Sequence, residues 1–263
     1  MSIKLITKPT LLFSGFSLIE MAVVLLIVAL LLGGLLPTIS SQIELKNRND
    51  TKKQLEEIQQ ALVGYVLANG RLPCPADGTK ISGQATAGQE VVTGSGPTVT
   101  CPPANVTNNA AWGVLPWATL GVSETDAWGR RFTYRVTLEF ADAIALATYT
   151  AGCTPTIPPT LASFALCSNG NLSILSAATG GTSIASNIPV VIISHGANGL
   201  GAYTPAGLPV LPAPLAGSDE YFNVDTTINN FVSHEFTTTY DDLVVWISPN
   251  ILYNRMVSAG KLP

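Results

Sequence analysis

Glu20 is the only charged residue in a long apolar stretch near the N-terminus. The stretch, residues 16–36, reads FSLIEMAVVLLIVALLLGGLL. A carboxylate in an apolar helix is costly unless it has a partner. A cut after Gly15 would create a cationic amine on Phe16, one helical turn from Glu20. The spacing therefore predicts an ion pair between Glu20 and this amine, in the same chain or in a neighbouring copy. The alternative is a charge that lies at a membrane interface.

The same stretch predicts a membrane-spanning helix. At about 1.5 Å per residue, residues 16–36 would extend roughly 30 Å, the thickness of the bilayer core. Lys4 and Lys8 precede the stretch without any acidic residue, which favours a cytoplasmic N-terminus. The alternatives are an ordinary signal anchor and a signal peptide that is removed. The apolar run is long for a signal peptide and is not followed by an A-x-A-like cleavage site.

The motif Gly15-Phe16-Ser17-Leu18-Ile19-Glu20, followed by a retained apolar helix, resembles the start of the type IV pilin-like family. This family includes type IV pilins and type II secretion pseudopilins. The resemblance implies that a prepilin peptidase cuts after Gly15 and methylates the amine of Phe16, and that Glu20 takes part in filament assembly. The implied partners are this peptidase, other pilin or pseudopilin subunits, an inner-membrane assembly platform and the membrane. The implied location is the bacterial inner membrane, crossed once, with a periplasmic head that reaches the cell surface if a filament forms there.

The helical pattern continues beyond the apolar stretch. Residues 38–69 contain no proline and a single glycine, Gly64. Their apolar positions recur at helical spacing and predict an amphipathic extension; they are Leu55, Ile58, Leu62, Tyr65 and Val66. A weak point is predicted between the two halves at Gly33, Gly34 and Pro37, since proline cannot donate a helical hydrogen bond and glycine disfavours helix.

The remainder of the chain, residues 70–263, predicts a loop-rich β domain. Residues 132–136 alternate apolar and polar side chains, as a half-buried strand does. Residues 172–175, 188–194 and 242–248 also predict strands, the last two central because they are almost entirely apolar. Residues 139–148 are compatible with helix or strand. Ser248 and Pro249 predict the start of a short helix that ends before Gly260.

Four cysteines, Cys74, Cys101, Cys153 and Cys167, predict two disulfides in an exported domain. Three pairings are possible. We favour Cys74–Cys101 and Cys153–Cys167, because sequential pairing closes two loop-rich segments. The alternative is four reduced thiols in a cytosolic domain. With two histidines and no C-x-x-C pair, a zinc site is not expected.

Composition and motifs argue against nucleic-acid binding and catalysis. The net charge is −4, and no basic patch is present. Ser194 and His195 are adjacent in a predicted strand and point to opposite faces, so they cannot act as nucleophile and base. Neither His234-Glu235 nor Asp241-Asp242 completes a known catalytic motif, and phosphate or dinucleotide loops are missing. The sequence therefore predicts no enzymatic activity.

A second resemblance concerns the head. The segments TDAWGRRFTYR, ISHGANG and YDDLVVW are similar in order to segments of the major pseudopilins of type II secretion, whose late loop binds calcium. The matching positions are Asp241 and Asp242, with Asp219, Glu220 and Asp225 nearby. Calcium takes six to eight oxygen ligands, which carboxylates and loop carbonyls can supply. The alternative is a solvated turn in which these acids cap a strand, with no cofactor bound.

Taken together, these patterns predict an α+β fold. A long N-terminal helix, with a transmembrane half and an amphipathic half, is expected to pack on a mainly antiparallel, loop-rich β head. The expected organisation is a leader at 1–15, a transmembrane and assembly helix at 16–37, an amphipathic helix at 38–69 and a disulfide-bonded periplasmic head at 70–263. The expected function is that of a minor or specialised structural subunit of a type IV pilus or a type II secretion pseudopilus. The alternative is a membrane-tethered periplasmic binding module that does not polymerise.

Overall fold

The computed structural model describes residue 15, residues 17–147, residue 149 and residues 152–262, and at 32–40 and 97 it describes the backbone alone. The leader before Gly15 and the predicted methylation site Phe16 lie outside the described residues. Of the predicted weak point at Gly33, Gly34 and Pro37 only the backbone is described, and it is helical. The chain divides into two compact units, Met1–Lys46 and Asn47–Pro263. The helices are α1 (Leu18–Asn69), α2 (Trp117–Leu120), α3 (Leu138–Ala141), α4 (Asp219–Val224) and α5 (Pro249–Ser258).

Helix α1 ends where its sequence allows the chain to turn. Gly70 adopts a left-handed backbone with φ of 72°, which glycine tolerates and most residues do not. Its amide donates to the carbonyl of Val66 at 2.8 Å and closes the last turn. Near this end, the Arg71 guanidinium pairs with Glu90 at 2.8 Å, and the Tyr65 hydroxyl donates to the same carboxylate at 2.8 Å. These contacts attach the helix end to the head.

The prediction that the first part of α1 crosses a membrane is wrong. Among the described residues, no helix has both the length and the apolar character needed to cross a membrane, which takes about 20 consecutive apolar residues. The predicted fold class is corrected accordingly: the chain is α+β with mainly antiparallel sheets, and no membrane-spanning helix is found among the described residues. The predicted placement as a single-pass protein of the bacterial inner membrane, N-terminus in the cytoplasm and head in the periplasm, is contradicted by the same finding.

Two sheets form the head. The larger sheet has five strands in the order β1-β2-β3-β6-β8, and every neighbouring pair is antiparallel. The smaller sheet has the order β5-β4-β7, in which β4 and β7 run parallel. The strands are β1 (Val106–Thr107), β2 (Ala110–Val114), β3 (Thr133–Thr137), β4 (Leu172–Leu175), β5 (Ser183–Ile188), β6 (Val190–Ser194), β7 (Asn230–Val232) and β8 (Leu243–Ile247).

The larger sheet lies between α1 and the smaller sheet. Successive side chains of a strand point to opposite faces, so β3 and β6 supply two cores. One core joins α1 to one face of the sheet; it includes Leu55, Ile58, Leu62, Val66, Tyr134, Val136, Val190 and Ile192. The other core joins the opposite face to the smaller sheet; it includes Ala110, Val191, Ile193, Leu172, Ile174, Ile188 and Phe231. This opposite face also carries the polar residues of β3.

Both predicted disulfides are present and have the predicted pairing. Cys74 is bonded to Cys101, with Cα atoms 5.3 Å apart, and Cys153 to Cys167, with Cα atoms 5.1 Å apart. The first bond closes the irregular segment between the end of α1 and β1. Loops closed in this way restrict the unfolded chain, by about 3 kcal/mol for a loop of about 15 residues.

One strand lies in a different position from that expected. β6 is central as predicted, but β8 is at the edge of the larger sheet. Its sequence is apolar because both of its faces are covered: Leu243 and Ile247 belong to the α1 core, and Val244 to the other core. An apolar run therefore indicates that both faces of a strand are buried. It does not indicate a central position, because an edge strand can also have two buried faces. Residues 139–148 contain the end of α3 and a short 3₁₀ turn, Ile144–Leu146.

Candidate functional site

Glu20 closes a hydrogen-bonded ring at the start of α1. The backbone N–H of Ser17 donates to Glu20 Oε2 at 2.7 Å, and the amide of Ile19 donates to the hydroxyl of Ser17 at 3.3 Å. This reciprocal arrangement of a serine and a glutamate three residues later is a capping box, and it satisfies amides that the first helical turn leaves unpaired. The negative carboxylate also lies at the positive end of the helix dipole.

The residues on both sides of Glu20 form an exposed apolar surface on α1. We call residues 18–31 the apolar segment. Its large side chains are between 43% and 89% exposed, with Leu18 the most exposed. They are Leu18, Ile19, Met21, Val23, Val24, Leu25, Leu26, Ile27, Val28, Leu30 and Leu31. Contiguous apolar surface of this extent is a feature of interaction sites.

A second candidate group of side chains lies in the head. Glu220 of α4 and the two acids before β8, Asp241 and Asp242, place carboxylate oxygens within 4.8 Å of one another. We call these three residues the acidic cluster. The backbone N–H of Asn198 donates to Asp241 Oδ2 at 2.8 Å, and its side-chain amide donates to Glu220 at 2.7 Å. The side-chain amide of Asn223 donates to Asp242 Oδ2 at 2.7 Å.

Part of the acidic cluster has no hydrogen-bond donor. Asp241 Oδ1 and Asp242 Oδ1 are buried and accept no hydrogen bond from the described residues. Burial raises the pKa of the Asp241 and Glu220 carboxyls, and the nearby negative charge of Asp242 raises both pKa values further. Buried carboxylates that repel each other destabilise this arrangement, and a bound cation would offset this cost.

The structure brings together only part of the acidic group that the sequence suggested. Asp219 instead pairs with His234 at 3.0 Å and accepts a hydrogen bond from the amide of Ala178. Asp225 accepts hydrogen bonds from the amide and hydroxyl of Thr227. Asp225 therefore acts in a local turn, whereas Asp219 joins α4 to two segments that are distant in sequence. Neither belongs to the acidic cluster. Glu220 lies in α4 and is the residue of this helix that joins the cluster.

Ser194 and His195 point in different directions, as alternation along a strand requires. The Ser194 hydroxyl donates to Asp126 Oδ2 at 2.6 Å. His195 is fully buried; its Nε2 lies 2.8 Å from the hydroxyl of Thr133, and its Nδ1 lies 3.4 Å from Asp242 Oδ1. Sequence reasoning missed Thr133, because only the pairing of β3 with β6 brings it to the histidine. The contacts from Thr133 to His195 and from His195 to Asp242 link the larger sheet to the acidic cluster.

Comparisons with known proteins do not place the chain in a family. No protein-family model matches the sequence, and neither a curated protein nor a solved structure shows significant similarity to it. Two features of the chain bear on its function: the N-terminal motif with its apolar segment, and the polar sites of the head.

Proposed function

We propose that the chain is a structural subunit of a type IV pilus or a type II secretion pseudopilus, matured by a cut after Gly15 and assembled through the start of α1. The observation that carries the proposal is the apolar segment, which begins within the motif from Gly15 to Glu20 and has exposed large side chains throughout. Apolar area removed from water contributes about 25 cal/mol per Å². Packing of this segment against the same segment of other copies would therefore favour assembly.

The position of Glu20 supports an additional role in assembly. After cleavage, the amine of Phe16 would directly precede the Ser17 amide, which already donates to Glu20 at 2.7 Å. The carboxylate therefore lies where it can meet either its own amine or that of an adjacent copy. Between packed apolar helices, such a pair offsets the cost of burying the charge only when its geometry is good. The pair would thus select one axial register.

The proposed partners follow from this mode of assembly. A prepilin peptidase would cleave after Gly15 and methylate Phe16, other pilin or pseudopilin subunits would pack on the apolar segment, and an assembly platform would deliver the subunit. A binding module that does not polymerise is the second candidate function. A cavity in the head, lined by Trp112 and Arg135 among others, favours it. Filament assays separate the two.

Gly15→Val is expected to leave the chain uncleaved, whereas the wild-type chain is expected to begin at Phe16. The reason is steric: a peptidase must accommodate the residue beside the scissile bond, and glycine has no side chain. Intact mass after co-expression with a prepilin peptidase measures the result. Gly64→Val changes an exposed position of α1 that is far from the cleavage site in sequence. This control variant should still be cleaved. A wild-type chain that retains Met1, or is cut after residue 37, contradicts the prediction.

We also propose that the acidic cluster binds calcium. The donor set fits this hard cation, because two buried carboxylate oxygens, on Asp241 and Asp242, lack hydrogen-bond donors and Glu220 lies beside them. When bound, calcium would supply positive charge that neutralises the repulsion among the three acids. Asp241, Asp242 and Glu220 are the residues that would hold it.

Calcium is expected to raise the unfolding temperature of the wild-type head and to lose this effect in Asp242→Asn. A ligand at a hundred times its dissociation constant stabilises the folded state by about 2.7 kcal/mol. Thermal unfolding with calcium and with a chelator measures the difference. Asp219→Asn is the matched control, since Asp219 pairs with His234 outside the cluster. Equal calcium shifts in both variants would contradict the site.

A further inference from the structure

A cavity of about 330 Å³ lies on the face of the larger sheet that is turned away from α1. Its floor includes Trp112 of β2 and Arg135 of β3, which are directly opposite each other in the antiparallel ladder. Their side chains therefore share one face of the sheet. Loops around Asp77 and Asp225 form part of the wall, and Tyr203 adds an aromatic surface. The volume is within the range of sites for small molecules.

Arg135 is a buried cation whose hydrogen-bond donors are only partly satisfied. The side chain is 3% exposed, and its Nη2 donates to the carbonyls of Thr226 and Ile228, each at 2.9 Å, and to Asn229 Oδ1 at 3.2 Å. Nε is buried and has no acceptor, and Nη1 donates to none of the described residues. The guanidinium has five N–H donors, so a large share of its capacity is unused. Among the described residues, no carboxylate lies within ion-pair distance of it.

Trp112 adds a second unsatisfied donor on the same face. Its indole Nε1 is buried and has no acceptor among the described residues. A buried donor without a partner costs about 1–3 kcal/mol, and here two lie on residues that are adjacent across one pair of strands. Burial lowers the pKa of Arg135 to about 10, and the nearby negative charge of Asp225 offsets part of this effect. An acceptor that carries negative charge would satisfy both groups.

The wall of the cavity carries negative charge, in contrast to the cation and the N–H donors on its floor. Asp77 and Asp225 have equivalent contacts: Oδ1 of each accepts the amide and hydroxyl of the threonine two residues later, Thr79 or Thr227. Their Oδ2 atoms accept no hydrogen bond from the described residues. Two carboxylates with one oxygen each available favour a cationic group on a ligand. A simple anion would be repelled by them.

We propose that this cavity binds a small zwitterion with an apolar body, the chemistry of a free α-amino acid. The ligand carboxylate lies against Arg135 and Trp112, which line the cavity. Because Nε of Arg135 and Nε1 of Trp112 are buried, these two side chains have to turn towards the cavity to donate to it. The ligand ammonium group meets Asp225 or Asp77, and the apolar side chain lies against the aromatic wall. This inference is independent of filament assembly, because the cavity lies wholly in the head.

Calorimetric titration of the full chain with three probes tests the charge pattern. The probes are L-phenylalanine, 3-phenylpropanoate, which lacks the ammonium group, and phenethylamine, which lacks the carboxylate. L-Phenylalanine is expected to bind at least about tenfold more tightly than either analogue, since each analogue leaves a charged partner unpaired. Equal affinities for the three probes, or no binding of L-phenylalanine at millimolar concentration, would overturn the proposal.

Variants show whether the binding uses this cavity. Trp112→Phe keeps an aromatic ring and removes the N–H, and Asp225→Asn keeps the acceptor for Thr227 and removes the charge; each is expected to weaken L-phenylalanine binding by about five- to fiftyfold. Arg135→Gln is expected to have the largest effect. Because that variant also loses contacts to Thr226 and Ile228, the conclusion rests on the first two if it does not fold. Arg255→Gln removes an exposed arginine of α5 and should bind like wild type. Unchanged affinity in Trp112→Phe and Asp225→Asn would exclude the cavity as the site.

Discussion

Glu20→Leu is expected to reduce incorporation of the subunit into filaments at least about a hundredfold, while cleavage after Gly15 continues. Removing one partner of a buried ion pair costs about 3–5 kcal/mol, because the other charge stays buried and unpaired. In this chain the unpaired group would be the amine of Phe16 on an adjacent copy. The substitution also removes the acceptor for the Ser17 amide, so the helix start is weakened as well.

Glu20→Gln separates these two effects. Glutamine at this position can still accept the Ser17 amide and complete a capping box, but it carries no charge. If the charge is what matters, Glu20→Gln assembles almost as poorly as Glu20→Leu. Sheared filament material is compared with total subunit after co-expression with the peptidase and the assembly platform. Wild-type assembly by Glu20→Gln would show that Glu20 only caps the helix.

Arg131→Leu is expected to lower the free energy of unfolding by about 3–5 kcal/mol. Arg131 has no exposed surface; its Nε and Nη2 pair with Glu124 at 3.0 and 2.7 Å. Its Nη1 donates to the carbonyls of Gly78 and Lys80 at 2.9 and 2.7 Å, and its guanidinium lies 4.6 Å from the ring centre of Trp117. One side chain thus connects three segments that are far apart in sequence, and its loss leaves buried acceptors without donors.

Arg130→Leu is the matched control for this prediction. Arg130 is the neighbouring residue, is partly exposed, and donates through Nη1 to the carbonyls of Gly196 and Ala197 at 3.1 and 2.9 Å. Its replacement is expected to cost about 1 kcal/mol or less. Chemical unfolding with both disulfides intact measures the two variants. Equal losses of stability for Arg130→Leu and Arg131→Leu would contradict the role assigned to Arg131.

The features that could be predicted from the sequence depend on local periodicity. The stripe from Leu55 to Val66 repeats every three or four residues, and four of its five members are buried. Alternation at 132–136 places Phe132, Tyr134 and Val136 in the α1 core. The disulfides could be paired because sequential pairing closes two short loop-rich segments. In each case the pattern is contained in a segment of limited length.

The features that could not be predicted depend on register and on contacts between distant segments. The sequence shows Arg130 and Arg131 as equivalent neighbours, yet only the packing of loops around 78–80 and 205 buries the second. Trp112 and Arg135 meet through one register of β2 on β3, and a shift of one residue would place them on different faces. The prediction of a membrane span failed for a different reason: apolar composition alone does not establish a spanning helix, and none is found among the described residues.

The most direct test of the filament proposal is the N-terminal peptide of the subunit in sheared filaments. The chain is co-expressed with a prepilin peptidase and an assembly platform, filaments are sheared and separated from cells, and the subunit is digested and analysed by mass spectrometry. The proposal predicts a peptide that begins at Phe16 with a methylated amine in the sheared fraction, and its loss from that fraction in Gly15→Val. A processed subunit that is abundant in cells and never present in sheared or crosslinked assemblies would contradict the proposal.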